Sequence, residues 1–118
     1  MDQFQSLKKN DDFGRVYRQG RSYGSKLLIM YVLKSQDQAG RVGISVSKKV
    51  GNSVVRHRIR RLIKESFRLH LSEWADADIV VVARREAVGR SLSEIEQTLM
   101  YLGKKTGVFN EAGEEHDQ

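Results

Sequence analysis

The sequence predicts one α+β domain, in which helices pack on one small sheet as a two-layer α-β sandwich. The 118 residues are enough for one hydrophobic core but not for two. Three runs rich in aliphatic residues, at 27–33, 41–47 and 78–83, have the length and composition of strands. Segments with apolar residues at helical spacing precede, separate and follow them, which gives the order α-β-β-α-β-α. A weaker pattern at 21–24 allows one more short strand.

The first helix and the first strand are marked by their ends and by their apolar residues. Asn10 can cap the helix and Gly20 can end it. The stripe that is predicted to face the core recurs at i, i+3 and i+4 and comprises Phe13, Val16 and Tyr17. The strand "LLIMYVL", 27–33, is apolar on both faces and is therefore predicted to be well buried. A turn is expected at "DQAG", 37–40.

The second strand, "RVGISVS", 41–47, differs between its two faces. The apolar face comprises Val42, Ile44 and Val46, and the opposite face comprises Gly43, Ser45 and Ser47. A face of such small side chains leaves a shallow trough on the sheet unless another element packs into it.

The segment "KKVGNSVVRHRIRRLIKE", 48–65, holds seven Lys or Arg residues and one His against a single carboxylate. A helix is predicted from about Ser53, with Asn52 or Ser53 as its cap. Its apolar arc comprises Val55, Ile59, Leu62, Ile63, Ser66 and Leu69. Its cationic side carries a row at i, i+4 spacing, which consists of Arg56, Arg60, Lys64 and Arg68. Like charges in such a row repel by roughly 0.2–0.5 kcal/mol per pair, so a compensating anion is expected.

The third strand and the last helix close the domain. The run "DIVVVA", 78–83, predicts a buried strand, and "SLSEIEQTLMYLGKK", 91–105, predicts a helix. Ser91 and Glu94 have the spacing of a capping box, and lysines lie at the negative end of the helix dipole. The core stripe of this helix comprises Leu92, Ile95, Leu99 and Leu102.

The distribution of charge favours a polyanionic partner. All 21 Lys and Arg residues precede position 106, whereas four of the 15 acidic residues follow position 110. Residues 1–110 therefore carry a formal charge of +10. We expect 1–109 to form a single RNA-binding domain and 110–118 to be an acidic, disordered tail. A generic solvated surface is the alternative, and the concentration of the charge in one stretch argues against it.

Several classes of protein are disfavoured by what the sequence lacks. Cysteine is absent, which rules out disulfides and Cys-based zinc sites and fits a cytoplasmic protein. No apolar run approaches the roughly 18 residues that a membrane span requires, so no membrane association is expected. No Gly-rich phosphate loop, H-E-x-x-H or G-x-S-x-G motif is present.

No catalytic or metal site is predicted in the protein itself. The three histidines are too scattered along the sequence to form a cluster, and they are His57, His70 and His116. The carboxylate pairs are interpreted as a helix start and a turn, namely Asp11 with Asp12 and Asp76 with Asp78. His57 lies among arginines and is better suited to hydrogen bonding or stacking with RNA than to general-base catalysis.

The cationic row is the strongest candidate binding site. Arginine guanidinium groups match phosphate oxygens with two parallel hydrogen bonds. The helix N-terminus, with Lys48 and Lys49 beside it, offers a second anion site. The alternative is that the cations extend over the core into water. That arrangement would call for interleaved glutamates, and the segment has only Glu65.

The aromatic residues allow two interpretations. Phe13 and Tyr17 lie one turn apart on the first helix, and Tyr31 lies on the first strand. Aromatic residues at helical spacing usually belong to a core. Beside a strand face of small residues, they could instead line a trough that stacks unpaired bases. Composition alone does not decide between the two.

Several segments resemble one known family. "RVGISVSKKVGNSVVRHRIRRLIKESFR" is similar to the signature of the bacterial ribonuclease P protein subunit, which has an RNR motif in a basic helix. The resemblance continues in "LKKNDDFGRVYRQGRSY", "LIMYVL" and "DIVVVARREA" and covers roughly residues 5–105. One position departs from the motif: its central Asn is replaced by His57, between Arg56 and Arg58. Histidine can still donate one hydrogen bond.

The resemblance implies a fold, a partner and an activity. The fold is a small mixed sheet with a left-handed β-α-β crossover, against the usual right-handed rule, and the basic helix forms that crossover. The partner is a catalytic RNA, which performs the hydrolysis with Mg²⁺, while the protein binds no cofactor of its own. The holoenzyme is an endonuclease that removes the 5′ leader from precursor tRNA. Neither DNA nor a membrane is implied as a partner.

The resemblance also assigns residues to two binding surfaces. The surface for the catalytic RNA comprises Lys48, Lys49, Asn52, Arg56, His57, Arg58, Arg60, Arg61, Lys64 and Arg68. The cleft for the single-stranded leader comprises Phe13, Tyr17, Tyr31, Ser45 and Ser47.

Three other classes of protein are alternatives. A ribosomal-type protein that coats structured RNA would share the basic helix but would need no leader cleft. A protein-only nuclease would need converging carboxylates, which the sequence does not offer. A helix-turn-helix DNA-binding protein is disfavoured by the two strands that precede the basic helix.

Overall fold

The computed structural model describes residues 5–34 and 40–109, which form a five-stranded mixed sheet with three α-helices. In chain order the elements are β1 (Gln5–Ser6), α1 (Asn10–Gln19), β2 (Arg21–Gly24), β3 (Leu28–Lys34), β4 (Arg41–Ser45), α2 (Ser53–Leu69), β5 (Ala77–Ala83) and α3 (Leu92–Thr106), with 3₁₀ turns at Leu71–Glu73 and Arg85–Ala87. The predicted α+β class and the weakly indicated strand at 21–24 are confirmed. The two-residue strand β1 was not predicted.

The sheet has the strand order β1-β4-β5-β3-β2. β3 pairs antiparallel with both β2 and β5, whereas β4 pairs parallel with β5 and with β1. The basic helix α2 makes the connection between the parallel strands β4 and β5. A helical connection of this kind is what parallel neighbours need. The left-handed sense of the connection stays a prediction.

The two faces of the sheet bury cores of different size. The larger core joins the sheet to α2 and α3, with Ile59, Ile63, Ile95 and Leu99 fully buried. The helix α1 packs on the opposite face, where the buried residues are Leu7, Val16 and Val80. The predicted packing of helices on one small sheet therefore describes α2 and α3, and α1 forms a partial third layer.

The ends and the buried face of α2 follow from its sequence, with one exception. Asn52 is the cap, and its side chain accepts a hydrogen bond from the backbone N–H of Val55 at 3.0 Å. Leu69 was predicted in the apolar arc, but this is wrong, because its side chain is 47% exposed. Phe67, one turn after the fully buried Ile63, takes that place in the core.

The helix α1 begins and ends differently from the prediction. Asn10 is its first helical residue rather than its cap, and the preceding Lys9 makes no capping hydrogen bond. Gly20 ends the helix in an extended conformation. A Cβ atom at this glycine would lie 2.5 Å from the carbonyl oxygen of Val32, so the close approach of β3 requires glycine here.

The helix α3 has the predicted capping box and ends at a glycine cap. Ser91 accepts a hydrogen bond from the N–H of Glu94 at 3.1 Å, and Glu94 accepts one from the N–H of Ser91 at 2.9 Å. Gly107 ends the helix with a left-handed φ of 85°. Of the predicted stripe, Ile95, Leu99 and Leu102 are fully buried and Leu92 is half-buried.

Two predicted features lie at or beyond the limits of the described residues. The turn at 37–40 has only Gly40 within them, and the acidic tail at 110–118 lies outside them. Among the residues that the structure describes, no helix combines the length and the apolarity needed to cross a membrane.

Candidate nucleic-acid interface

The outward side of α2 presents a cluster of exposed basic side chains. The Asn52 cap starts the helix, and the apolar arc packs on the sheet, so the intervening basic residues face away from the core. The exposed side chains are His57, Arg58, Arg61 and Lys64 on the helix, with Lys48 and Lys49 in the turn before it. Within the described part of the chain, no hydrogen bond or ion pair involves these six side chains. We call them the α2 cationic face.

The other members of the predicted row have acceptors within the protein. The guanidinium of Arg56 donates to the carbonyl oxygen of Gly51 at 3.1 Å, and that of Arg60 donates to the carbonyl oxygen of Ile44 at 2.9 Å. Arg68 forms a two-pronged pair with Glu65, with one bond of 3.0 Å. Hydrogen bonding within this pair raises the pKa of Arg68 and lowers that of Glu65.

These contacts change the explanation of the like-charged row. The carboxylate of Glu65 offsets the charge of Arg68, which lowers the repulsion at that end of the row, whereas the carbonyl groups of Gly51 and Ile44 orient Arg56 and Arg60 without neutralising them. Lys64 is the member that has no such acceptor among the described residues. The structure brings the α2 cationic face together as one surface, with Arg56 and Arg60 half-buried along one flank.

A cleft of about 440 Å³ opens between α1 and the edge of β4 beside that flank. The α1 side is lined by Asn10, Phe13, Gly14 and Tyr17, and the other side by Ile44, Ser45, Val46 and Arg60. Arg60 therefore belongs both to the basic row and to the wall of the cleft. We call this space the aromatic cleft.

The aromatic residues form one connected group beside the cleft. The rings of Phe13 and Tyr17 lie 6.4 Å apart, and those of Tyr17 and Tyr31 lie 4.8 Å apart in an edge-to-face arrangement. Tyr17 is 39% exposed, whereas Phe13 and Tyr31 are half-buried and pack on the small α1 core. The group thus combines both interpretations: Tyr31 supports Tyr17 from behind, and Tyr17 presents an accessible ring.

The predicted trough on β4 is open over only part of its length. The ring of Phe13 packs on Gly43, where an added Cβ would lie 2.5 Å from its Cζ atom. The trough is filled at that point, and Ser45 lines the open part. Ser47 lies beyond the end of β4, is exposed, and does not line the cleft.

A buried charge network beside the cleft was missed from the sequence. Asp78 was interpreted with Asp76 as a turn, although it also begins the predicted strand at 78–83; it lies on β5, is 3% exposed, and accepts hydrogen bonds from Arg41 at 3.0 and 2.7 Å. Arg15 donates to Asp78 at 3.2 Å, and Arg41 also donates to Asp12 at 3.3 Å. The hydrogen bonds to Asp78 raise the pKa of Arg41, although its burial opposes them. We call these four residues the Asp78 network.

The sequence did contain a signal for this network. Arg41 and Asp78 each precede an aliphatic run, and the two strands are parallel neighbours with these residues in register. Opposite charges at the same end of adjacent parallel strands therefore meet. That signal can be used only once the strand order is known.

The histidines occupy separate environments. His57 is exposed on the α2 cationic face, whereas His70 lies at the end of α2 between Glu73 and Glu96. Within residues 5–34 and 40–109, no three His, Cys, Asp or Glu side chains are placed to hold a metal ion. The described part of the chain thus presents a cationic face, an aromatic cleft and a charge network.

Comparison with known proteins gives one family. The family model for ribonuclease P matches residues 1–107. Ribonuclease P protein components from Lachnoclostridium phytofermentans and Clostridium botulinum are 54% and 46% identical to this chain, over 85% and 88% of it and 87% and 96% of their own lengths. The solved structure of an RNase P protein from Staphylococcus aureus is 39% identical and superposes with a TM-score of 0.83, covering 89% of this chain and 97% of that one. The chain therefore belongs to the ribonuclease P protein family.

Proposed function

We propose that this protein binds a catalytic RNA through the α2 cationic face and the leader of a precursor tRNA through the aromatic cleft. As a family member it has a role in ribonuclease P, in bacterial tRNA processing, as a subunit of an endoribonuclease holoenzyme. The assignment of each surface to an RNA is the proposal. One observation carries it: Arg60, in the basic row on the flank of the α2 cationic face, also lines the aromatic cleft, so the two surfaces adjoin.

The chemistry of the α2 cationic face suits an RNA backbone. Its cations have no partners among the described residues, so their charge is available to phosphates, and each contact would release counterions. Arginines at the helix surface can bind phosphate oxygens bidentately. His57, between Arg56 and Arg58, can donate a hydrogen bond to RNA in place of the motif's asparagine.

The chemistry of the aromatic cleft suits a single strand. Tyr17 offers a ring face or edge to an unpaired base, and Ser45 offers a hydroxyl group. Arg60 at the rim can bind the phosphate between two bases. A double helix would keep its bases stacked inside and could not use the tyrosine in this way. The leader of a precursor tRNA is a single strand of this kind.

We assign the hydrolysis to the RNA, with Mg²⁺ bound by that RNA. Cleavage of a phosphodiester needs either an acid and a base within reach of the phosphate or metal ions held by several oxygen atoms. The protein would contribute by screening repulsion between two RNAs and by holding the substrate. On this proposal the protein acts in the cytoplasm, where tRNA precursors are made.

The decisive experiment is cleavage of precursor tRNA at low Mg²⁺ by the catalytic RNA, with and without the protein. We expect strong stimulation by the protein and no cleavage by the protein alone. Lys64→Ala should reduce the stimulation. The matched control is Lys26→Ala, which replaces an exposed lysine in the β2–β3 turn and should leave the stimulation unchanged. A protein that bound the RNA tightly but gave no stimulation would instead support a ribosomal-type role, and cleavage without RNA would support a protein nuclease.

A further inference from the structure

We propose that the Asp78 network is a positioning device that holds α1 at the orientation in which the aromatic cleft is open. This inference rests on the leader-binding role proposed above. The network consists of Asp12 and Arg15 on α1, Arg41 on β4 and Asp78 on β5, so it joins the helix to two strands of the sheet. Its carboxylate at Asp78 is nearly fully buried.

The register of the sheet places this network next to the cleft. Arg41 lies opposite Asp78, and Gly43 and Ser45 follow on the same face of β4. The ring of Phe13 packs on Gly43, and Ser45 lines the cleft. The first two turns of α1 are therefore tied to the sheet by the charges of Asp12 and Arg15 and by the ring of Phe13, which lies between them in the sequence. The cleft separates the helix from the end of β4.

Apolar packing alone would leave the orientation of α1 poorly defined. The small α1 core has three fully or nearly fully buried residues, Leu7, Val16 and Val80, whereas the core under α2 and α3 is much larger. Hydrophobic contact has no preferred direction. The hydrogen bonds that cross from α1 to the sheet do have one: Arg15 donates to Asp78, and Arg41 donates to Asp12. Two such bonds constrain both the distance and the rotation of the helix.

A role for the network in binding phosphate directly is disfavoured by its charges. Arg41 is engaged by Asp78 and Asp12, with its side chain only 17% exposed. The two carboxylates would repel RNA. Replacing a buried ion-pair group with apolar residues is often neutral or stabilising for a protein, so stability alone does not account for such a group. Conformational specificity of α1 does account for it.

The test compares Asp12→Asn with Asp11→Asn. Both substitutions remove one negative charge from the first turn of α1, but Asp11 is exposed and has no contact with the network. Loss of a negative charge near RNA should by itself strengthen RNA binding. We therefore expect Asp11→Asn to bind RNA equally well or better. We expect Asp12→Asn to lose leader preference, which we define as the ratio of affinities for precursor tRNA and for mature tRNA.

The expected loss for Asp12→Asn is about fivefold or more in leader preference, the size of the loss of one stacked base. Asp78→Asn should show a larger loss wherever it remains folded. Binding of the catalytic RNA by α2 should be unchanged in both. Amide hydrogen exchange of α1, measured far below the melting temperature, should become faster in Asp12→Asn and not in Asp11→Asn.

The two measurements separate this inference from the leader proposal. Equal leader preference and equal α1 exchange in the two variants would overturn the positioning role. A wild-type protein without leader preference would overturn the leader cleft instead, and with it the function of the network, whatever the exchange rates showed. Loss of leader preference in Asp11→Asn as well would assign the effect to helix-end charge rather than to the network.

Discussion

The guanidinium of Arg60 donates a hydrogen bond of 2.9 Å to the carbonyl oxygen of Ile44, which fixes a residue of the basic helix at the rim of the aromatic cleft. The bond satisfies a carbonyl group near the end of β4 and leaves other N–H groups of the guanidinium available. One side chain can therefore contact both the catalytic RNA and the leader. Lys64, one turn further on, does not line the cleft, so we expect it to contact only the catalytic RNA.

This arrangement predicts that Arg60→Ala and Lys64→Ala differ in their effect on leader preference. Each should weaken binding of the catalytic RNA by on the order of 1 kcal/mol, as loss of a charged hydrogen bond does. Arg60→Ala alone should also reduce leader preference. Arg60→Lys keeps the charge but loses the planar guanidinium group that can donate two parallel hydrogen bonds, so its affinity and leader preference should be intermediate. Binding titrations across a range of salt concentrations test this, and equal leader preference in all three variants would contradict it.

Tyr17 should be the main stacking residue for the leader. We expect Tyr17→Ala to weaken binding of precursor tRNA by roughly 1–3 kcal/mol per stacked base, with little effect on mature tRNA. Tyr17→Phe keeps the ring and should bind nearly as wild type. Tyr101→Ala is the matched control, because Tyr101 is 46% exposed but lies on α3, on the other face of the sheet. Equal losses of affinity for precursor tRNA and for mature tRNA would show that Tyr17 has a purely structural role.

The fold class could be predicted from the sequence because periodicity and capping residues are local properties. Ser91 and Glu94 form the predicted capping box, and the residues of the predicted apolar arcs of α2 and α3 are buried or half-buried, except Leu69. The prediction for Leu69 is wrong because this residue is the last one of α2, and Phe67 takes the place in the core, where its ring lies 4.6 Å from that of Trp74. A helical wheel does not show where the supporting surface ends.

The candidate site was predictable only in part, because it depends on contacts between distant segments. The cations of α2 were visible as a local pattern. The Asp78 network was not, since Arg41 and Asp78 meet only through strand order and register. The role of Gly43 was likewise hidden: the small face of β4 is filled at that residue by Phe13 from α1. No local pattern shows which element covers a trough.

His70 should make stability depend on pH. Its Nδ1 lies 2.9 Å from Glu73 and its Nε2 lies 2.5 Å from Glu96. Burial acts to lower the pKa of His70, but the hydrogen bonds to Glu96 and Glu73 together outweigh it and raise the pKa above the usual 6.5. A raised pKa means that the charged form stabilises the folded state. This stabilisation is complete below pH 6.5 and is lost as the pH rises through the folded-state pKa.

Urea unfolding of wild type and of His70→Gln at several pH values tests this dependence. The difference in unfolding free energy should be larger at pH about 5.5 than at pH about 8.5, because only the protonated imidazole donates to both carboxylates. The other histidines are present in both proteins, so their contributions cancel. A difference that stayed constant across this range would show that His70 acts by packing against Phe109 rather than by charge.

Two helix glycines should respond in opposite directions to the same substitution. At Gly103, in the buried side of α3, a Cβ would lie 2.6 Å from Trp74 and 2.7 Å from Phe109. Helix propensity favours alanine by about 1 kcal/mol, but overpacking costs about 1–3 kcal/mol, so Gly103→Ala should destabilise. At Gly14 the nearest atom is the flexible end of Arg18, at 3.0 Å, so Gly14→Ala should stabilise. Thermal unfolding measures both, and stabilisation by Gly103→Ala would contradict the packing described here.

Magnesium should distinguish the contributions of the two surfaces. The α2 cationic face would act by reducing phosphate repulsion, and added Mg²⁺ can substitute for part of that screening. The cleavage defect of Lys64→Ala should therefore shrink as Mg²⁺ is raised. Tyr17 would act by stacking, which screening does not replace, so the defect of Tyr17→Ala should persist. Cleavage of precursor tRNA by the holoenzyme over a Mg²⁺ series measures both defects, and two defects that shrank in parallel would mean that the aromatic cleft, too, acts through charge.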